Sequence, residues 1–205
     1  MSVRSIVIGG LMAMLIWALA LALTVGVALA ATLVGTRGDD ALVGTNSRDE
    51  IYGRAGHDTI SGRGGNDNLL MGGFGDDSIS GGTGYDNLIG SGRKAGGGFF
   101  ADNGDRGSDT LSGGDRDDSL MGGLGPDRLS GGPGGDLIYD DYNVEGEPKE
   151  DVSEDVISGG PGNDAIASHN EPAVADVVSC GSGYDEVFAD EADVISEDCE
   201  VVDAG

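Results

Sequence analysis

The chain has 205 residues, 40 of them glycine, and carries 37 acidic against 11 basic side chains for a formal charge of −26. With no basic patch to meet phosphate, this balance excludes nucleic acid as a partner, and a fold so acidic repels itself unless counterions intervene. Acidic disorder would explain the charge alone, but it would not hold an aliphatic phase, and such a phase runs from Asp40 to Ile195.

An apolar run, Ile6 to Leu29, follows Arg4 and ends in the small-x-small triplet Ala28-Leu29-Ala30. That pattern predicts a secretory signal over residues 1–30. The run is also long enough to span a bilayer, so an uncleaved membrane anchor remains the alternative, and membrane contact is expected only in that case. Either way, residues 31–205 are expected outside the cytoplasm, secreted or anchored at the cell surface.

From there a nine-residue unit recurs, of the form G-G-x-G-x-D-x-(Leu/Ile/Val)-x. Clean copies are Gly72 to Ser80, Gly81 to Ile89, Gly122 to Ser130, Gly131 to Tyr139 and Gly159 to Ala167. The first block of copies fills residues 31–89, with one extra residue placed at Met71 and Leu69 as the aliphatic partner of Asp67. An insert at 90–103 follows, holding Arg93, Lys94, Phe99 and Phe100. A second block runs over 104–139. A second, acidic insert at 140–149 contains Pro148. Residues 150–205 carry degenerate copies and an acidic tail. Both inserts are expected as loops on one face of a stack.

The unit has a physical logic. Glycine suits a backbone that takes positive φ or passes close to another chain or an ion. The three residues after the aspartate make a strand with one inward side chain, as in Ser78-Ile79-Ser80. One copy buries a single aliphatic residue, which cannot offset the ordering of its backbone. Copies must therefore pile up at strand spacing to have a core at all. Two copies per coil predict an all-β, flattened, right-handed parallel β-roll (a solenoid), with an aspartate-bearing turn on each side. Columns of carboxylates and turn carbonyls suit a hard, oxygen-loving cation.

On these residues, the chain resembles the repeat-in-toxin, or hemolysin-type calcium-binding, nonapeptide proteins over roughly residues 32 to 196. The resemblance implies calcium held between a turn and the next turn on the same side. The ligands would be the sixth-position carboxylates and glycine-turn carbonyls. Carried over by position, the aspartates are Asp58, Asp67, Asp77, Asp86, Asp109, Asp127, Asp136 and Asp164, with Asp40 and Asp185 at the ends. The turn glycines include Gly72, Gly73, Gly75, Gly122, Gly123 and Gly125. Asp49, Asp118, Asp176 and Asp193 are weaker candidates, because their copies depart from the glycine turn: Asn46-Ser47 in one, Arg116 at the fourth place in another. Calcium would bridge carboxylates that otherwise repel, so folding is expected to be coupled to Ca2+.

Cys180 and Cys199 are the two cysteines. An even pair in an exported chain predicts one disulfide, closing a loop of roughly 20 residues and contributing about 3 kcal/mol. It would clip the end of the stack where glycine turns are missing. Arg37-Gly38-Asp39 falls on turn positions and is explained by them. No H-E-x-x-H or G-x-S-x-G supports hydrolysis, and the candidate carboxylates already have repeat roles. The expected function is therefore calcium binding by an extracellular roll with a structural or surface-interaction role, not catalysis. The alternatives are a calcium-stabilised hydrolase and an adhesin whose inserts grip a glycan or a cell-surface protein.

Overall fold

A computed structural model describes residues 29–91, 106–140, 152–170 and 173–204. Most of the expected signal segment and of both inserts, with Phe99, Phe100 and Pro148, lies outside the described residues. Among the described residues there is no helix; short strands form two sheets in which every neighbour pair is parallel. The first sheet has nine strands, from Thr32–Val34 to Val201–Ala204. The second has eight, from Ala41–Val43 to Val194–Ile195. Successive strands alternate between the sheets, so each coil holds two copies of the repeat, as the nonapeptide phase requires.

The inward residues form one interleaved file. Ile51, Leu70, Leu88, Leu120, Ile138, Ile166 and Val187 come from the first sheet; Ile60, Ile79, Leu111, Leu129, Ile157 and Val178 come from the second. All are at most 2% exposed. Each such side chain contributes about 1.5–3 kcal/mol by leaving water, but only because the coils above and below cover it. The register is one aliphatic residue on the next: Ile51 lies between Leu33 and Leu70, and Leu70 pairs with Leu88.

The phase of one copy differs from that expected. Leu70, not Leu69, fills the inward place after Asp67. The extra residue sits at Asn68-Leu69, between the aspartate and the core, and not at Met71. The physical reason is the next turn: with Leu70 inward, Met71 and Gly72 follow in the normal phase, and the irregularity is absorbed as a bulge before the strand.

Three long connectors share one edge. Residues 91–108, 140–154 and 168–175 each connect a first-sheet strand to a second-sheet strand. The described ends of the two expected inserts, at Ser91 and Arg106 and at Asp140 and Val152, lie at this edge; the inserts themselves fall outside the described residues. The opposite edge keeps short turns throughout.

The outer faces differ. On the second sheet Ser61, Ser80, Ser112, Ser130, Ser158 and Ser179 stand in register. On the first, the matching file is Tyr52, Met71, Ile89, Met121, Tyr139, Ala167 and Phe188. At the C-terminal end Cys180 and Cys199 are joined by a disulfide, their Cα atoms 5.2 Å apart. The tail forms the last strand, Val201–Ala204, paired with Glu186–Ala189.

Candidate metal sites in the two aspartate columns

The alternation sorts the sixth-position aspartates into two columns. Along the edge that carries the long connectors run Asp40, Asp58, Asp77, Asp109, Asp127, Asp155, Asp176 and Asp193. Along the opposite edge run Asp49, Asp67, Asp86, Asp118, Asp136, Asp164 and Asp185. In both, the N–H of each aspartate donates to Oδ1 of the next, at 2.6 to 3.0 Å. The second column ends on a glutamate: Asp185 N–H donates to Glu200 Oε2 at 2.9 Å. From Asp49 and Asp58 onward, one carboxylate oxygen of each aspartate thus holds the preceding coil, and the surroundings of the other differ along the columns.

That second oxygen is the informative atom. In Asp58, Asp67, Asp86, Asp118, Asp136, Asp164 and Asp185, Oδ2 is buried and meets no hydrogen-bond donor. These residues are at most 4% exposed. A buried carboxylate without a partner disfavours its own charge. Burial accordingly lifts Asp118 to about 7 and Asp67 and Asp136 to about 6. It also raises Asp58, Asp86 and Asp164 above the usual carboxylate range. The N–H bond from the previous coil opposes each shift, and neighbouring aspartates add to it in Asp67, Asp118 and Asp136.

Beside each of these Oδ2 atoms except that of Asp185, where Cys180 stands, a glycine leaves a gap that a side chain would fill. A Cβ on Gly81 would stand 2.5 Å from Asp86 Oδ2 and 2.6 Å from the carbonyl oxygen of Gly113. A Cβ on Gly90 would stand 2.5 Å from Asp109 Oδ2 and 2.5 Å from the Gly122 oxygen. The first glycine of the copy therefore keeps open a gap between its own aspartate and the carbonyl of the next coil. The second and fourth places shape the turn: Gly73 and Gly75 take φ of 117° and 105°, as do Gly123 and Gly125 at 112° and 109°. Arg54, Arg63 and Arg116 adopt the same left-handed conformation where glycine is the rule. The glycine turn at Asp118 is thus kept in shape despite Arg116.

The donors at these hollows are buried carboxylate and main-chain oxygens. That set fits a calcium ion, which takes six to eight oxygen ligands, and offers nothing to a thiophilic metal.

The expected ligands are not all equivalent. Asp77, Asp109 and Asp127 stand buried in their column beside Gly72, Gly90 and Gly122. Asp40 differs: its Oδ2 accepts from Thr36 N at 2.6 Å and Thr36 Oγ1 at 2.9 Å. Asp49 is closed in the same way by Thr45, and Asp193 Oδ2 by Asp190 N and Ser168 Oγ. A threonine at the second place thus supplies its own donors where a glycine would leave the oxygen open. Three polar residues were not found from the sequence: Glu200, Asp140 and Asn170. For Glu200 the signal was present, since Glu200-Val201-Val202 repeats the acid-x-aliphatic spacing with glutamate for aspartate.

A family model of the RTX calcium-binding nonapeptide repeat matches residues 34–69, 71–92, 103–139 and 153–169. The chain belongs to this family, whose repeats bind calcium in a β-roll. No curated protein shows a significant match to the chain.

Proposed function

We propose that the protein is an exported calcium-binding β-roll that completes its fold when ions enter the hollows between coils, and that it serves as a structural or surface-interaction module and not as an enzyme. The observation that carries this reading is the set of buried Oδ2 atoms without donors, each except that of Asp185 beside a glycine-kept gap and a carbonyl of the next coil. The proposed ligands are Asp58, Asp67, Asp77, Asp86, Asp109, Asp118, Asp127, Asp136, Asp164 and Asp185, with the turn carbonyls around Gly72, Gly73, Gly75, Gly122, Gly123 and Gly125. Asp40 and Asp49 are left out because Thr36 and Thr45 satisfy them.

A bound calcium supplies positive charge between coils and neutralises carboxylates that otherwise repel. The chain's own residues do the rest: the Oδ1 ladder sets the coil spacing, the glycines hold the gap, and the aliphatic file excludes water. Export is supported by the apolar run before Ala30 and by the disulfide, which suits an oxidising compartment. A non-catalytic role is supported by the ladder bond that engages each repeat carboxylate.

The test is a calcium titration of residues 31–205 followed by far-UV circular dichroism and calorimetry, with magnesium as control. A cooperative gain of β structure with several ions bound, absent with magnesium, is the expected result. A chain equally folded in chelator and indifferent to calcium would overturn the proposal.

A further inference from the structure

Three carboxylates converge at a turn where the repeat has lost its glycines. Asp140, Asp155 and Asp176 are all buried, and each offers a carboxylate oxygen within 4.8 Å of the others. Asp155 and Asp176 are successive members of their column, joined at 2.8 Å from Asp155 N to Asp176 Oδ1. Asp140 is not a member of it. It occupies the first place of its copy, the seat that Gly122 takes one coil earlier. Its N–H donates to the Ala167 carbonyl at 3.1 Å, and its carbonyl accepts from Gly123 N at 2.8 Å.

At Gly122 a side chain would collide with Asp127 Oδ2. Asp140 avoids that collision because its connector is longer: Gly122 and Asp127 are five positions apart, Asp140 and Asp155 fifteen. The place that the repeat elsewhere leaves as a hollow thus receives a third carboxylate.

A separate observation points to a ligand. Asn170 is 2% exposed; its Nδ2 donates to Asp176 Oδ2 at 2.8 Å, while its Oδ1 has no hydrogen-bond partner. A half-turn of the amide exchanges these two atoms and presents a neutral oxygen to the same carboxylate group. Three carboxylates this close, removed from water, repel one another and call for a cation between them.

We infer that Asp140, Asp155, Asp176 and Asn170 form a divalent-cation site of their own, built for an ion of calcium's size and preference for oxygen. Its make-up differs from the repeat hollows: three carboxylates and a side-chain amide stand in place of paired aspartates and glycine-turn carbonyls. Because ligand charge tunes calcium affinity, it is the tightest site of the roll. It fastens the start of the 140–154 connector and the 168–175 connector to one point of the edge.

Asp140→Gly decides the matter, since it restores the residue the repeat itself uses. If Asp140 is only structural, the variant binds as many ions as the wild type with the same tightest affinity, whatever happens to its stability. If it is a ligand, isothermal calorimetry on the full chain shows one calcium fewer, and the tightest class of binding is lost. Asn170→Ala keeps the stoichiometry and weakens that class by about tenfold. Asp203→Asn, an exposed charge removed elsewhere, leaves both unchanged. The inference is overturned if Asp140→Gly binds as many ions with the same tightest affinity. A wild-type chain that bound no calcium would overturn this site and the proposed function together; ions bound by the wild type and equally by Asp140→Gly would overturn this site alone. Should Asp140→Gly fail to fold in calcium, Asp140→Asn, of equal size and one charge less, gives the same readout.

Discussion

Gly81→Ala, compared with Gly38→Ala, isolates one hollow from the general effect of adding a methyl group. At Gly81 the new Cβ meets Asp86 Oδ2 at 2.5 Å and the Gly113 carbonyl at 2.6 Å; at Gly38 nothing lies within 4 Å. Neither glycine takes a left-handed φ, so backbone strain is not the difference. Crowding against the Gly113 backbone costs about 1–3 kcal/mol with or without calcium. Losing the ion adds a part that depends on calcium: one site at a free concentration one hundred times its Kd stabilises by about 2.7 kcal/mol. In a chain of this size that corresponds to about 5–10 °C in Tm. The assay is thermal unfolding over a calcium series. Wild type and Gly38→Ala should climb together, and Gly81→Ala should climb less steeply, by one ion's worth. If Gly81→Ala rose with calcium as steeply as Gly38→Ala, the gap beside Gly81 would hold no ion.

The raised aspartates fix a pH dependence. A carboxyl whose folded pKa lies above the ordinary 3.8 stabilises the fold while protonated. Its contribution is complete below that value and is lost as pH rises through about 6 for Asp67 and Asp136 and about 7 for Asp118. In chelator the roll should therefore be firmer at pH 4 than at pH 8, read by circular dichroism melts; the reverse order would contradict the burial of these groups. Calcium competes with those protons, so its affinity should rise over the same interval, with protons released on binding. Leu70→Ala should cost about 2–5 kcal/mol in denaturant melts and Leu69→Ala far less. Similar losses at both would mean the bulge at Asn68 is misplaced. Replacing Cys180 and Cys199 with serine should cost about 3 kcal/mol, with faster amide exchange confined to the strands Val177–Gly183 and Val201–Ala204. Uniform loss of protection along the chain would show that the bond does more than hold the end.

The roll was legible because one inward residue per nine cannot be buried except by stacking, and the aspartate phase fixes two copies per coil. The phase error at Leu69 arose where two leucines were adjacent; only the spacing to Gly72 tells which one turns inward. The closure of Asp40 and Asp49 was also written in the sequence, as Thr36 and Thr45 at the second place, but a hydroxyl there reads as one more variable position until its bond to the aspartate is seen. Asp140, Asp155 and Asp176 could not be brought together by spacing, because long connectors separate them in the chain. The contrast between the serine file and the apolar file is periodic at eighteen, not nine, and shows only when alternate copies are laid side by side.

The aspartate ladders give the stack a direction. Every aspartate amide in both columns except that of Asp193 looks toward the C-terminus for its acceptor, so each coil is completed by the one that follows it. At the head a bare donor suffices, and Ala31 N–H does that work against Asp49. At the foot the last coil needs an acidic side chain waiting for it, and Asp193 and Glu200 meet that need. Among the described residues the ladder is therefore closed by acidic side chains at the foot and by a main-chain donor at the head. A chain truncated before Asp193 would leave two buried amides without acceptors, whereas coils added or removed near Ala31 would leave every remaining ladder bond in place.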